Sequence, residues 1–440
     1  MYRTRNSYLF YQKMNEMLPG GTHSNFHARN NDITLCMKQG RGSRIWDIDD
    51  NEYLDLFGKY GACILGHHHA ELDESLHRAV DHITVTELAE TTYKVCQLLK
   101  EWFPHGDMIR MGLSGNEVIQ NAFRLARGYT GKQKIIRFIG HFHGTADDVL
   151  GGWNHSIDTV DRSKLENQAF ETEGRRENSF QSVIILPWNN VKLLEETMQR
   201  YSNSIAAIIM EPVMCNGGGI LADNTFFAKV RKLCSENNVV FILDELITGI
   251  RSGPGGFQKE AGIVPDLTIV GKSIANGVLP LSCIIGKKEI MNLYTEGRVV
   301  FGGTYNGYQL AMATAQATLE ILNKNKDKYF NNLKYRSEQI CAYIIDEAKR
   351  QGVELTVQGH FSSPSFHMIN EKLTDYDQWT ADLMNRDGVL RMCLQANGIL
   401  TASISRLNMN VILNDSDIEF FMDKTKKALS DAKLILRRKK

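Results

Sequence analysis

The chain has 440 residues, which suggests roughly two to three domains. It carries 51 basic and 51 acidic residues, so it lacks the charge excess of proteins that bind nucleic acid or acidic membranes. No apolar run approaches the ~20 residues of a membrane span. Eight cysteines without a C-x-x-C pair are typical of reduced thiols, and the N-terminus lacks the apolar stretch of a signal peptide. We expect a cytoplasmic protein.

The N-terminal part of the chain combines helical and strand patterns. Apolar spacing predicts a short helix over residues 1–17, and turn residues separate three short strands between 33 and 57, which predicts a small antiparallel sheet. His67, His68 and His69 follow shortly afterwards. Because these three residues are consecutive, they lack the ligand spacing of a metal site.

From residue 108 to 286, apolar runs alternate with helical patterns, which predicts a mostly parallel sheet between helices. Ligands bind beyond the carboxyl ends of the strands in such sheets. Val239–Leu243 is followed there by Asp244, and Leu267–Val270 by Gly271 and then Lys272. A lysine can form a Schiff base with an aldehyde cofactor, and a carboxylate can keep a pyridine nitrogen protonated. A structural ion pair is the alternative.

A phosphate site is predicted where a short strand meets an amphipathic helix. Ser114, Gly115 and Asn116 form a small-residue turn at the start of that helix, where free N–H groups and the helix dipole favour an anion. Ordinary capping of the helix by Ser114 or Asn116 is the alternative. His141 and His143 lie further along, but no cysteine or carboxylate pattern accompanies them, and we expect no metal.

The C-terminal third mixes helices with short strands. Residues 299–305 predict a strand that runs into Gly302-Gly303-Thr304. Later segments predict an α+β domain packed with the N-terminal segment. We therefore expect an N-terminal segment, a large cofactor-binding domain and a small domain, with the bounds 1–57, 58–308 and 309–440.

These patterns, with others along the chain, resemble one family in order and spacing over nearly the whole sequence. The chain resembles the class III, fold-type I aminotransferases that use pyridoxal phosphate, and within them the glutamate-1-semialdehyde aminomutase branch. The resemblance implies a large three-layer α/β/α domain and a smaller α+β domain built from both termini. The matching stretches are LPGG (18–21), GACILGHHH (61–69), SGNE (114–117), RLARGYTGK (124–132), GHFHG (140–144), EPVMCNGG (211–218), LDELITGIR (243–251), PDLTIVGKSIANGVLP (265–280) and GGTYNGYQLAMA (302–313).

The resemblance also implies roles for individual residues. Lys272 would hold pyridoxal phosphate through a Schiff base, and Asp244 would pair with its pyridine nitrogen. The phosphate would lie on the turn described above. The chain would act as a homodimer with shared active sites. The expected cofactor contacts are Ser114, Gly115 and Asn116 at the phosphate, Phe142 and Leu246 on the two ring faces, Asn216 near the ring hydroxyl, Glu211 beneath the site, and Gly303 and Thr304 reaching the neighbouring subunit's phosphate.

Departures from the aminomutase pattern bear on the substrate. The aminomutases usually carry an arginine where this chain has His27, a tryptophan where it has Tyr60, and Thr or Ser where it has Asn116. We therefore expect an aminotransferase that moves an amino group from an amino-acid donor to a keto acceptor, such as a β-keto or β-amino biosynthetic intermediate, free or bound to a carrier protein. Arg29 and Arg406 are the candidates for binding the donor's carboxylate, with His27 and Tyr60 shaping the pocket.

Two alternatives stay open. An intramolecular aminomutase would use the same residues. It would keep the reaction intermediate in the active site instead of releasing it. A binding or regulatory protein that keeps the fold without catalysis is the other alternative. The presence of both Lys272 and Asp244 argues against this last class.

Overall fold

The structure is a computed structural model and describes residues 2–26, 34–84, 88–151, 172–176, 179, 181–402 and 405–438. The candidate substrate residues His27 and Arg29 lie outside the described residues. Among the helices described below, none is both long and apolar enough to cross a bilayer.

The helices range from four to 25 residues in length. Short 3-10 turns occur at Pro19–Gly21, Lys272–Ala275 and Tyr376–Gln378. In chain order the helices are α1 (Arg5–Asn15), α2 (Gly58–Gly61), α3 (Ala70–His82), α4 (Glu90–Trp102), α5 (Gly115–Thr130), α6 (Val191–Tyr201), α7 (Asn224–Glu236), α8 (Thr248–Arg251), α9 (Gly256–Glu260), α10 (Lys288–Thr295), α11 (Gln309–Lys324), α12 (Lys326–Arg350), α13 (Ala381–Ala396) and α14 (Asp415–Arg438).

The strands are short, and those of the central part of the chain are rich in β-branched residues. In chain order they are β1 (Met37–Arg41), β2 (Arg44–Asp47), β3 (Glu52–Asp55), β4 (Met108–Gly112), β5 (Lys134–Phe138), β6 (Val183–Leu186), β7 (Ile205–Met210), β8 (Val213–Met214), β9 (Ile220–Leu221), β10 (Val240–Asp244), β11 (Leu267–Gly271), β12 (Ser282–Gly286), β13 (Thr356–Gln358), β14 (Ser365–His367) and β15 (Ile399–Leu400).

The chain divides into two compact units. The first comprises residues 1–73, 327–372 and 380–440, and the second comprises 74–326 and 373–379. These bounds differ from the domain bounds expected from the sequence, because α11 packs against α4 within the second unit. The functional domain boundaries stay a prediction.

The first unit contains a four-stranded sheet in the order β1-β2-β3-β15. The strands β1, β2 and β3 are antiparallel, as the sequence predicts, whereas β15 adds to β3 in parallel. The sheet is therefore not wholly antiparallel, because its fourth strand comes from the C-terminal part of the chain. Two further strands of this unit, β13 and β14, pair with each other.

The second unit is built on a seven-stranded sheet in the order β4-β12-β11-β10-β7-β5-β6. Only β12 runs antiparallel to its neighbours, so the predicted mostly parallel sheet is confirmed. The central strands β7, β10 and β11 are buried along their whole length, as expected for strands covered on both faces. Helix α5 packs its apolar face, including Val118 and Phe123, on the strands.

The strand predicted over residues 299–305 is not formed. This segment has no regular secondary structure before a turn at 304–307. Val300 is 73% exposed, so its side chain has no sheet face to pack against. Adjacent glycines, Gly302 and Gly303, also weaken strand formation, because they offer no side chain to pack and lose more entropy on ordering.

Candidate active site

The expected cofactor residues gather at one edge of the large sheet. The strands β4, β5, β7, β10 and β11 all run in the same direction, so their carboxyl ends meet at this edge. The residues that end or follow these strands are, in the same order, Ser114–Asn116, Phe142, Glu211, Asp244 and Lys272.

The register of the sheet sets two of these elements at the same level. Ser282 pairs with Gly112 of β4 on one side and with Gly271 of β11 on the other. The turn after β4 and Lys272 therefore leave the sheet together, one strand apart. Lys272 itself has φ 49°, in the left-handed region that side-chain-bearing residues rarely adopt. Such conformations cluster at functional positions.

The turn at the start of α5 both caps the helix and leaves donors free. Ser114 Oγ accepts a hydrogen bond from Glu117 N–H at 3.3 Å, which confirms the capping interpretation for Ser114. Asn116 Oδ1 accepts from Thr145 N–H and Ala146 N–H at 3.0 and 3.1 Å, whereas Asn116 Nδ2 donates to no other described residue. The first N–H groups of an α-helix have no partner within the helix. The turn thus presents N–H donors that suit an anion.

Asp244 is held by two donors from different elements. Its Oδ2 lies 2.7 Å from His143 Nδ1, and its Oδ1 accepts from Leu246 N–H at 3.1 Å. Both side chains of the His143–Asp244 pair are almost fully buried. These are the polar contacts of Asp244 within the described chain, so it does not form the alternative structural ion pair with Lys272. The spacing of His141 and His143 contains no signal for this contact.

The turn that carries Phe142 is tied to the end of β7. Phe142 N–H donates to Glu211 Oε1 at 2.8 Å, and Glu211 N–H donates to His141 Nδ1 at 2.9 Å. Burial, and secondarily the neighbouring His143 and Arg137, lowers the pKa of His141 well below its ordinary value. A neutral His141 can accept at Nδ1, so the hydrogen bond and the electrostatics agree. Glu211 therefore fixes the turn that presents the Phe142 ring.

Glu245 follows Asp244 at the same edge of the sheet and forms hydrogen bonds with the segments that come after it. Its carboxylate is fully buried and accepts from Phe257 N–H, Gln258 N–H and Thr248 Oγ1 at 2.8 to 3.0 Å. Burial raises the pKa of Glu245 to about 7, against the effect of these hydrogen bonds. The residue connects the loop after β10 to the start of α9, and sequence spacing alone assigns it no role.

The remaining cofactor candidates lie on loops. Asn216 is half-buried in the turn between β8 and β9. Gly303 and Thr304 are exposed on the segment that precedes α11. Arg124 of α5 donates from Nη1 to Val300 O at 2.8 Å and thereby attaches the beginning of that segment to the helix of the phosphate turn.

The two substrate candidates that the structure describes belong to the first unit. Tyr60 donates from its hydroxyl to Phe26 O at 3.1 Å, and its ring packs edge-on against Phe57. Arg406 is fully buried and donates from Nε to Asn408 Oδ1 at 3.0 Å. Their roles toward a substrate stay predictions. Among the described residues, no group of three or more His, Cys, Asp or Glu side chains could hold a metal.

One known family and several known proteins match the chain over most of its length. The model of the family "Aminotransferase class-III" matches residues 26–429. This chain belongs to the class III aminotransferases. The glutamate-1-semialdehyde 2,1-aminomutase of Natranaerobius thermophilus is 30% identical to this class III chain over 436 residues, which are 98% of this chain and 99% of the relative.

Solved structures share the class III fold over almost the whole chain. An omega-transaminase from Sphaerobacter thermophilus has a TM-score of 0.90 and 26% identity, with 98% of each chain covered. A transaminase with bound pyridoxal phosphate has a TM-score of 0.88 and 22% identity, covering 99% of this chain and 100% of its own. The predicted fold-type I architecture is thereby confirmed.

Pyridoxal phosphate is the cofactor of this class III enzyme, and the residues at the sheet edge fit it. The turn at Gly115 and Asn116 supplies N–H donors for a phosphate. The carboxylate of Asp244 suits a protonated pyridine nitrogen, because its two donors leave acceptor capacity on both oxygens. Lys272 directly follows β11, the strand that pairs with the strand of Asp244, and provides an amine.

Proposed function

We propose that this enzyme transfers an amino group from an amino-acid donor to a keto acceptor. The observation that supports this most strongly is the relation between β10 and β11. Asp244 pairs with Ile269 in the sheet register, and Lys272 follows Ile269 by three residues, directly after the end of the neighbouring strand. Asp244 is engaged by His143 and Leu246, so its charge is not neutralised by the lysine. Carboxylate and amine can then act on different atoms of one cofactor.

The position of each residue at the sheet edge suggests its role toward the cofactor. When bound, pyridoxal phosphate supplies an aldehyde that condenses with amines and a ring that withdraws electrons from the substrate's α-carbon. Asp244 holds a proton at the pyridine nitrogen, and Lys272 Nζ binds the cofactor and moves the proton at the α-carbon as a general acid and base. The other expected contacts orient the group: Ser114, Gly115 and Asn116 at the phosphate, Phe142 and Leu246 at the ring faces, Asn216 at the ring hydroxyl, and Glu211 behind Phe142.

We also propose that two chains share each active site. Gly303 and Thr304 are exposed, and their segment is attached to α5 through Arg124. An exposed loop that is held at its start is suited to contact a second copy of the chain. In this arrangement Thr304 serves the partner's phosphate.

For the substrate, we propose an amino acid whose carboxylate is bound by arginine, since the guanidinium fork matches a carboxylate. Arg29 is the first candidate, with His27 and Tyr60 shaping the pocket, and Arg406 is the second. The acceptor is a β-keto compound or a related biosynthetic intermediate, free or carrier-bound. A cytoplasmic location remains part of this proposal.

An intramolecular aminomutase is the second candidate function. It is favoured by the similarity to the aminomutase of Natranaerobius thermophilus over nearly the full length of both chains. The same residues would serve both reactions. The two reactions differ in whether the intermediate is released from the active site or is kept there until it receives an amino group.

A single-turnover experiment separates the two candidates. The purified holoenzyme is incubated with a panel of amino donors without any keto acceptor, while keto acid and the absorbance of the bound cofactor are followed. An aminotransferase releases about one equivalent of keto acid per site and then stops until an acceptor is added. A mutase instead converts glutamate-1-semialdehyde catalytically into an isomer with no released keto acid, and that result would reject the first proposal.

A further inference from the structure

A short segment from the C-terminal part of the chain belongs to the unit that contains the candidate active site. Residues 373–379, which we call the strap, are part of the second unit, whereas the chain on both sides of them is part of the first. Leu373, Tyr376 and Trp379 of the strap are each 5% exposed or less. Burial of three large side chains within seven residues indicates a packed segment rather than a surface loop.

Local hydrogen bonds fix the shape of the strap. Asp375 caps the 3-10 turn Tyr376–Gln378, and its side chain accepts from Asp377 N–H at 2.9 Å. Gln378 Oε1 accepts from Asp375 N–H at 3.2 Å in return, which completes a capping box. These bonds lie within the strap and do not involve the Tyr376 ring. A substitution of Tyr376 should therefore remove its packing without unfolding the strap.

The ring of Tyr376 packs against the turn that carries Phe142. A Cβ atom added to Gly140 would lie 2.6 Å from Tyr376 Cδ2 and 2.4 Å from Met214 Sδ. Gly140 has φ 83°, in the left-handed region, so glycine suits this position by conformation as well as by space. Because Phe142 follows Gly140 by two residues, the side chains of Tyr376 and Met214 restrict where the turn can lie.

Met214 connects this contact to the turn between β8 and β9. A Cβ atom added to Gly217 of that turn would lie 2.4 Å from Met214 Sδ and 2.8 Å from Gly140 O. The Met214 sulfur is therefore in contact with both glycines. Gly217 N–H also donates to Met214 O at 3.1 Å. The two turns thus form one packed group, to which the strap adds the ring of Tyr376.

We propose that Tyr376 is a positioning residue that keeps Phe142 and Asn216 in place for the ring of the cofactor. This inference rests on the proposed contacts of Phe142 and Asn216 with pyridoxal phosphate. Without the Tyr376 ring, a cavity opens beside Gly140, and the turn can shift into it, because a close-packed interior offers no other free space. The Phe142 ring is then held less firmly against the cofactor.

The test compares Tyr376→Ala with Tyr376→Phe in the holoenzyme. Phenylalanine keeps the ring edge that meets Gly140, whereas alanine removes it. One readout is the induced circular dichroism of the bound cofactor, which reports how the protein holds the pyridine ring, and the other is the dissociation constant of pyridoxal phosphate. We expect the Ala variant to lose most of the dichroism and to bind the cofactor about tenfold more weakly, and the Phe variant to match wild type in both.

Leu194→Ala is the control for a general loss of stability. Leu194 is fully buried on α6, which belongs to the same unit and contributes none of the proposed cofactor contacts. Its truncation should lower the midpoint of urea unfolding, as Tyr376→Ala does, but leave the dichroism unchanged. Equal losses of dichroism in the two Ala variants, or a Phe variant that behaves like Tyr376→Ala, would reject a specific role of the Tyr376 ring.

Phe142→Leu shows which claim fails. It should reduce the dichroism and weaken cofactor binding at least as much as Tyr376→Ala. If Phe142→Leu leaves both quantities unchanged, the proposed role of Phe142 is wrong, and the inference about Tyr376 is wrong with it. If Phe142→Leu changes them but Tyr376→Ala does not, only the role of Tyr376 is overturned.

A measurement on the unmodified protein keeps the proposal testable even if Tyr376→Ala fails to fold. Coupling between two binding events is reciprocal, so a strap that stabilises the cofactor-bound arrangement of the turns is itself stabilised by the cofactor. We expect the amides of residues 373–379 to exchange hydrogen more slowly in the holoenzyme than after removal of pyridoxal phosphate. Equal exchange rates in the two forms would overturn the proposal.

Discussion

Leu246 packs so closely on Gly115 that a Cβ atom at position 115 would lie 2.4 Å from Leu246 Cδ1. The second methyl group, Cδ2, would lie 2.5 Å from a Cβ at Gly271. One side chain thus fills the space beside the phosphate turn and also beside the residue that precedes Lys272. Because both methyl groups are confined, Leu246 cannot turn away from one glycine without meeting the other.

Gly115→Ala should therefore weaken cofactor binding and stability together. We expect the dissociation constant of pyridoxal phosphate to rise about tenfold and the free energy of unfolding to fall by about 1–3 kcal/mol, as for other overpacked sites. Calorimetry and urea unfolding measure the two quantities. Leu246→Val in the same chain should restore part of both losses, since it removes the crowding.

The matched control for this substitution is Gly388→Ala. Gly388 lies inside α13 with open space where a Cβ would be, so the change should be neutral or stabilise by up to about 1 kcal/mol. Equal losses at both glycines, or no rescue by Leu246→Val, would show that contact with Leu246 is not what requires glycine at position 115.

Strand ends are the part of the site that the sequence predicts well. Asp244 and Lys272 each follow a continuous apolar run, and such runs identify buried parallel strands whose ends must meet. The contact between His143 and Asp244 joins residues 101 positions apart in the chain. It depends on the order of the strands in the sheet, which apolar patterns alone do not specify.

Local patterns fail where tertiary packing decides the outcome. The segment 299–305 has strand-forming residues, yet it pairs with no strand of the described sheets, and Val300 stays exposed. At Asn116 the local pattern predicts the turn, but it does not predict a tertiary contact. The sequence places it at a phosphate turn, and the structure shows in addition that its Oδ1 holds Thr145 N–H and Ala146 N–H of another turn.

Glu245 should make stability depend on pH. Its pKa in the folded protein is raised to about 7 from the ordinary 4.5, so the folded chain retains a proton that the unfolded chain releases. The stability contributed by this proton is fully present below pH 4.5 and is lost as the pH rises through about 7. The difference between these two pKa values corresponds to roughly 3 kcal/mol in the free energy of unfolding.

Comparison of wild type with Glu245→Gln isolates this effect, because the other titrating groups are common to both chains. The free energy of unfolding of wild type relative to the variant should fall by up to roughly 3 kcal/mol between pH 4.5 and 8. The exposed Glu196→Gln should show no such change in urea unfolding. A difference between wild type and Glu245→Gln that is constant over this range would contradict the buried, protonated carboxyl.

Thr304 provides a test of the shared active site. Thr304→Ala and Lys272→Ala chains are each expected to be impaired, and mixing them should recover up to about a quarter of wild-type activity through hybrid dimers. One site of each hybrid contains both defects, and the other contains neither. Subunit exchange is verified by mass-tagging one chain. Exchange without any recovery would mean that each site is formed within a single chain.

Identifying the lysine that binds the cofactor covalently is the most direct test of the proposed chemistry. The holoenzyme is treated with borohydride, digested and analysed by mass spectrometry for peptides that carry the reduced cofactor. We expect the label on Lys272 alone in wild type, and no covalent label in Lys272→Ala, although that variant should still bind pyridoxal phosphate through the turn at Gly115 and Asn116. A label on another lysine in wild type, or a persistent label in the variant, would contradict the assignment of Lys272 and with it the proposed chemistry.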